Sequence, residues 1–378
     1  MGMETFSRSQ LQQELNLRCF KLAANNNRGF KQEFGELHNV GRDLPARAGV
    51  LEPNKEKNRY SCILPYDHCR VRLSIQNLDP HSDYINANFV PGGGSERDFI
   101  CTQGPLPNTI ADFWRMVWEQ NVRIIVMVTA LRYKDTILCD KYWMMDEGTA
   151  YHGSLQVTTV ARKQGPDYFI TTVNLRQRDS PIDRIITHYQ YPSWPDCGVP
   201  NPSSLCAFTE HIRQHLEAIP RLGPAVVHCS AGVGRSGTFV ALLWMMQLCV
   251  RGITPDIKAA VKDLRLHRMW TVQTLEQYMC VHQCLVYWLS GGSSLSPQTH
   301  SNYQPLSSSG REDRSGRRRR HQRQKSTSEQ QNSLQIFNPG NLLRRLMPSL
   351  SQPGDGTNDR NQRQSSRTHS RFLIPGTC

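Results

Sequence analysis

The stretch "AVVHCSAGVGRSGTF", residues 225–239, decides how the chain is read. Four residues suited to a buried strand lead into a turn of small residues, and an apolar helical run follows. Inside it, "GVGRSG" (residues 232–237) matches the dinucleotide fingerprint G-x-G-x-x-G letter for letter. The same stretch sets Cys229 and Arg235 six positions apart around a loop of backbone amides. A dinucleotide site wants an acidic residue at the end of the next strand, about 20 positions on. Asp256 stands near that distance, but it follows "RGITP" and opens the helical run "IKAAVKDLRLH". That reading also leaves Cys229 and Arg235 without a role. A triphosphate loop fails too, because no G-K-[ST] follows.

A cysteine nucleophile uses every residue of the stretch. Cys229 opens a loop of five small residues, Ser230, Ala231, Gly232, Val233 and Gly234, closed by Arg235 where the helix begins. Successive loop amides can point inward as an anion-binding nest, and the helix start adds unpaired N–H groups and its positive dipole end. Arg235 can grip two phosphoryl oxygens at once, and the combined field favours a thiolate. Ser236 is expected to hydrogen-bond the sulfur and ease its later departure. Phosphoryl transfer to sulfur also needs a proton for the leaving oxygen. About 30 residues upstream, "YPSWPDCGVP" sets Asp196 among prolines and a glycine, a surface loop able to swing over a bound substrate.

The net charge of +13 across 378 residues is unevenly placed. Residues 291–378 carry 14 Lys/Arg against 5 Asp/Glu, so most of the surplus belongs to the C-terminal segment. The body is near neutral, which argues against nucleic acid as its partner. Its expected extent is 17–290, one α/β domain, because helical and strand patterns alternate without a repeat. "NTIADFWRMVWEQN" and "SLCAFTEHIRQHLEAIP" show helical spacing, "VRIIVMVT" and "GPAVVH" read as buried strands, and residues 275–289 as a closing helix. Cys280, His282 and Cys284 fall inside that helix and read as core rather than as metal ligands. Residues 291–378 are rich in Ser, Gln, Arg, Pro and Gly and read as a disordered tail. Its cluster "GRRRRHQRQK", residues 316–325, suggests an import receptor or an anionic membrane surface as partner. The 12 cysteines show no C-x-x-C pair, and neither a signal peptide nor a span of about 20 apolar residues is evident. The expected setting is therefore cytoplasmic, with nuclear entry through the basic cluster as an alternative.

These residues resemble the cysteine-dependent protein-tyrosine phosphatases, and the likeness spans nearly the whole body. "HCSAGVGRSGT" is similar to that family's signature and "WPD" to its acid loop. "KNRY" (57–60) looks like its phosphotyrosine-recognition loop, and "DYINANFV", "TQGPLPNT", "FWRMVWEQ" and "VQTLEQY" are further family blocks. "NNNRGFKQEF" and "LRLHR" are similar to receptor-type members with fibronectin-repeat ectodomains. The resemblance implies a twisted mixed sheet between helices and hydrolysis of phosphotyrosine in proteins through a phosphocysteine. Cys229 would be the nucleophile, Arg235 the transition-state clamp, and Asp196 the acid and then the base. Gln273, with Gln277, would position the hydrolytic water. Tyr60 would stack on the substrate ring and wall a slot too deep for phosphoserine. Neither metal nor cofactor is called for, since amides and arginine supply the positive field.

Several positions depart from the family pattern. Cys62 replaces the usual Asn or Asp that holds the substrate backbone, and Leu138 stands where a lysine commonly precedes Cys139. Tyr133, Met144, Cys197 and Trp270 also differ from the common residues. Leu138 and Cys62 give the alternative reading, a phosphotyrosine-binding protein with weak or no turnover.

Overall fold

The computed structural model describes residues 5–195 and 198–292. Residues 293–378 of the expected tail, with its basic cluster, and Asp196 and Cys197 therefore lie outside the described residues. The helices are α1 (Arg8–Glu36), α2 (Arg47–Val50), α3 (Ile110–Glu119), α4 (Pro202–Ala218), α5 (Gly234–Val250), α6 (Ile257–His267) and α7 (Leu275–Leu289). The strands are β1 (Arg70–Arg72), β2 (Tyr84–Val90), β3 (Phe99–Thr102), β4 (Ile124–Met127), β5 (Arg132–Tyr133), β6 (Thr136–Ile137), β7 (Gly148–His152), β8 (Leu155–Gln164), β9 (Phe169–Gln177), β10 (Asp183–Gln190) and β11 (Ala225–His228).

Nine strands form one sheet in the order β1-β2-β3-β11-β4-β10-β9-β8-β7, and β5 pairs with β6 alone. The inner pairs β3–β11, β11–β4 and β4–β10 are parallel. Every flanking pair is antiparallel. The parallel strands β3, β4 and β11 are buried along their full length, as strands covered on both faces must be. This places β11, and the loop that follows it, at the middle of the sheet.

One core cluster unites α1, α4, α5, α6 and α7 on one face, with Phe208, Phe239, Leu264 and Val281 among its members. A second packs α3 against the other face through Phe113, Trp114, Met116 and Val117. The expected α/β class with a mixed sheet between helices is what the chain adopts. Leu11 and Leu15, ahead of the expected start at Leu17, already pack in the first core. Helix α1 is broken by Asn25, Asn26 and Asn27, three consecutive residues with positive φ. Asparagine tolerates that region better than most side chains. Asp256 caps α6, its carboxylate accepting from the Ala259 amide at 3.0 Å, so it is not the acid of a dinucleotide site. Among the described residues no helix is long and apolar enough to cross a membrane.

Candidate active site

Strand β11 ends at His228, and Cys229 begins the loop that leads into α5. The apolar side chains of β11 lock the strand between β3 and β4, which fixes the loop's point of departure. The loop's conformation is set mainly from outside, through its carbonyls. His228 Nδ1 lies 3.2 Å from the Cys229 carbonyl oxygen. The Ser230 carbonyl accepts from the Gly104 amide at 2.9 Å, and the Val233 carbonyl from the Val272 amide at 3.2 Å. Arg268 serves the two between them, its Nη2 donating to Ala231 O at 3.0 Å and its Nε to Gly232 O at 2.8 Å.

Five consecutive carbonyls are thus held by surrounding elements. In a planar trans peptide the N–H of the next residue points the opposite way. The amides of Ser230, Ala231, Gly232, Val233 and Gly234 are accordingly turned toward the loop's interior. The Gly232 amide donates to Cys229 Sγ at 3.2 Å. Gly232 adopts φ +74°, and a Cβ there would sit 2.1 Å from the Thr102 carbonyl oxygen, so only glycine fits.

Arg268 is fully buried and reaches beyond the loop to Asn88 Oδ1 and Asn86 Oδ1, each at 2.9 Å. Burial lowers its pKa from the usual arginine value, and the nearby Cys101 and Cys229 oppose that shift. Arg265, one helical turn earlier, is buried as well and is pushed down to about 10 by desolvation. Its guanidinium braces the segment after α6 through Thr271 O at 3.0 Å and Val272 O at 2.7 Å, and ties it to the end of α1 through Leu37 O at 2.6 Å.

Cys229 and Arg235 are both buried, and Arg235 Nη1 donates to Thr129 Oγ1 at 3.1 Å. Ser236 is buried with its hydroxyl unpaired, so the bond expected from it to the sulfur is not formed in this geometry. Tyr60 is brought to the loop, its hydroxyl 2.8 Å from Ser230 Oγ. With Trp270 it packs on the small cluster of Ile63, Ala231 and Val233, so two aromatic residues border the loop.

The rest of "KNRY" holds Tyr60 in place. Arg59 donates to Gly104 O at 3.0 Å, Pro105 O at 2.7 Å and the Asp140 carboxylate at 2.8 Å. Asn58 Oδ1 accepts from Tyr84 and Asn86. Gln277 closes a capping box at the start of α7, its Oε1 accepting from the Thr274 amide at 3.3 Å, and it also accepts from the Gln273 amide at 2.9 Å. A Cβ on Gly234 would lie 2.9 Å from Gln277 Nε2 and 3.1 Å from Gln273 Oε1, so both side chains border the loop.

Beside the expected acid loop, Trp194 is buried and its indole donates to Gly198 O at 3.2 Å. Asp196 itself lies outside the described residues. Cys62 is exposed, Leu138 is buried, and Tyr133 and Met144 are exposed. Trp270 has φ +59° and is approached by the Arg42 guanidinium at 5.5 Å and the His38 ring at 5.7 Å. It helps line a cavity of about 310 Å³ with Tyr66, Met269, His38 and Arg42.

The residues that sequence reading expects as nucleophile and clamp, Cys229 and Arg235, lie with Tyr60 and the two glutamines around one loop. That reading missed Arg268, Arg59 and Asn58 as determinants of the site. The signal for Arg59 and Asn58 was their place in "KNRY". Arg268 stands in a run of basic residues, "LRLHRM", that reads as a solvated helix end.

A sequence model described as protein-tyrosine phosphatase matches residues 54–287. Receptor-type tyrosine-protein phosphatase V of Rattus norvegicus is 43% identical over 258 residues, covering 68% of this chain and 15% of that protein. Receptor-type tyrosine-protein phosphatase eta of Mus musculus is 40% identical over 269 residues, 70% of this chain and 21% of that protein. Tyrosine-protein phosphatase Lar-like of Caenorhabditis elegans is 39% identical over 279 residues, 73% and 12% of the two chains. The chain thus spans about a fifth or less of the length of these relatives. The family match takes in the strand, the loop and the helix starts that build the site, and this chain belongs to the protein-tyrosine phosphatase family.

Proposed function

We propose that this domain, 17–290 in the sequence reading, hydrolyses phosphotyrosine in proteins by way of a phosphocysteine on Cys229. The reading is supported above all by the sulfur's position at the focus of a loop whose carbonyls are tied outward and whose amides face in. In the first step Sγ attacks phosphorus and the bond from phosphorus to the tyrosine oxygen breaks. Asp196 gives its proton to the departing phenolate. Arg235 and the loop amides hold the three equatorial oxygens as charge spreads over them. In the second step water, oriented by Gln273, attacks phosphorus while Asp196 takes its proton. The P–S bond then breaks, leaving inorganic phosphate and the thiolate. Tyr60 stacks on the substrate ring and sets the depth of the slot.

The substrates on this reading are tyrosine-phosphorylated proteins. Leu138 supports the second reading, a phosphotyrosine binder with little turnover, because an apolar side chain is buried where a lysine is common. Hydrolysis of a small aryl phosphate separates the two. Turnover that Cys229→Ser abolishes supports the enzyme, and phosphopeptide binding without turnover by the unaltered protein supports the binder.

A further inference from the structure

Strand β4 stands beside β11, and their pairing runs on past the end of β4, the Val128 amide donating to the His228 carbonyl at 2.9 Å. A little farther along, the Leu131 carbonyl accepts from the Leu138 amide at 2.9 Å and from the Cys139 amide at 3.2 Å. The backbone around Thr129 is therefore pinned on both sides, and the residue is wholly buried. Its hydroxyl carries one proton and lies 3.0 Å from the Ala130 carbonyl, which can only accept. The hydroxyl donates there, so Oγ1 turns its lone pairs outward. The Arg235 guanidinium meets them, its Nη1 donating to Thr129 Oγ1 at 3.1 Å.

We propose that Thr129 is a positioning residue for Arg235, its hydroxyl aiming the guanidinium at the phosphoryl oxygens. The inference rests on Arg235 being the phosphoryl clamp. Arg235 stands in the first turn of α5, with a flexible stem between its backbone and its charged head. A guanidinium is flat and rigid, so fixing one Nη sets the direction of its remaining donors. Threonine is branched at Cβ and stiff about χ1, which places the acceptor in advance. Ordering the arginine before phosphate arrives removes a conformational cost that binding would otherwise meet. A hydroxyl does this without a negative charge of its own, so it leaves the arginine's pull on phosphate undiminished. The contact also joins the sheet to the far end of the loop, opposite the end where Cys229 departs from β11.

Thr129→Val keeps the branched shape and removes the acceptor. Calorimetric titration with inorganic phosphate should find an affinity about tenfold lower, and kcat/KM for an aryl phosphate should fall at least as far. Thr129→Ser keeps the hydroxyl without the methyl and should stay within about threefold of the unaltered protein. Thr129→Cys is similar in size with a much weaker acceptor; it should follow the valine variant and replaces it if that chain does not fold. A double-mutant cycle separates positioning from stability. Once Arg235→Ala has removed the guanidinium, Thr129→Val should change kcat/KM by less than about twofold. The proposal is overturned if Thr129→Val binds phosphate as the unaltered protein does, or if Thr129→Ser is as impaired as Thr129→Val. It is equally overturned if the valine change costs the same with and without the Arg235 side chain. Phosphate binding without turnover by the unaltered protein would instead count against the phosphocysteine reading, leaving Thr129 to be judged by the titrations.

Discussion

Replacing Arg268 by lysine tests whether the loop depends on its outer bracing. Lysine keeps the charge but loses the planar fork that reaches four acceptors at once: Ala231 O, Gly232 O, Asn86 Oδ1 and Asn88 Oδ1. An ammonium has three donors for these four acceptors, so at least one loses its partner, and the shorter arm is expected to cost a second. Hydrogen bonds to a charged group contribute about 1.5–3 kcal/mol each, which puts the loss for two at about 3–6 kcal/mol. At about 2.1 cal/mol/K per residue, a domain of this size has an unfolding entropy of about 0.6 kcal/mol/K, so that is a fall in Tm of about 5–10 °C. Function should suffer further, because the amides of Gly232 and Val233 share peptides with the two carbonyls that Arg268 holds. Misaligning one oxyanion donor lowers kcat by about 10²–10³. The assay is steady-state hydrolysis of an aryl phosphate at 20 °C, below the lowered Tm, beside thermal unfolding. A variant that loses the expected stability yet keeps its kcat would refute the reasoning, since the loop would then hold its shape without the bracing.

Gly232→Ala should be worse than a surface change of the same size, because the added methyl meets the Thr102 carbonyl at 2.1 Å in a backbone region alanine avoids. Loss of at least about 10² in kcat is expected, and a variant within threefold of the unaltered protein would contradict the close approach. Tyr60→Ala should raise KM for phosphotyrosine peptides and narrow their advantage over phosphoserine peptides, read as the ratio of kcat/KM for matched pairs. An unchanged ratio would remove Tyr60 from the slot. The buried histidines predict acid sensitivity. His188, His228 and His282 have folded pKa values lowered to about 3, about 4 and about 4, whereas an unfolded histidine titrates near 6.5. Below pH ~6.5 the unfolded chain binds protons that the folded one does not. Stability should therefore fall as pH drops toward 4, by up to about 1.4 kcal/mol per pH unit for each histidine. Urea midpoints measured between pH 7 and 4.5 check this, and a flat profile would show that the rings are not held neutral.

Much of the site was legible because its chemistry is local in sequence. Cys229 to Arg235 form one loop, and the strand and helix around them follow from "AVVH" and "TFVALLWMM", so periodicity located them. Helices α3 and α7 were clear from their apolar spacing. The antiparallel half of the sheet was harder to see. In β8 the inward residues Leu155, Val157 and Thr159 alternate as a half-buried strand should, but a bulge between Thr159 and Ala161 breaks the pattern, and Arg162 and Lys163 follow. What sequence could not show was the bracing. Arg268 reaches carbonyls 36 and 37 positions away, and nothing in the basic run around it marks it as buried. It is identified only once tertiary packing brings those carbonyls to its guanidinium.

The central claim is that inward amides hold the Cys229 sulfur ready to attack although it is almost wholly covered. Cys62 is an exposed thiol and serves as an internal control. Burial alone would make Cys229, 2% exposed, the slower of the two toward iodoacetate. The account predicts the reverse at pH 6: mass spectrometry should find Cys229 carboxymethylated well ahead of Cys62, and inorganic phosphate should protect it. Modification of Cys62 first, with Cys229 unreactive and indifferent to phosphate, would contradict the claim.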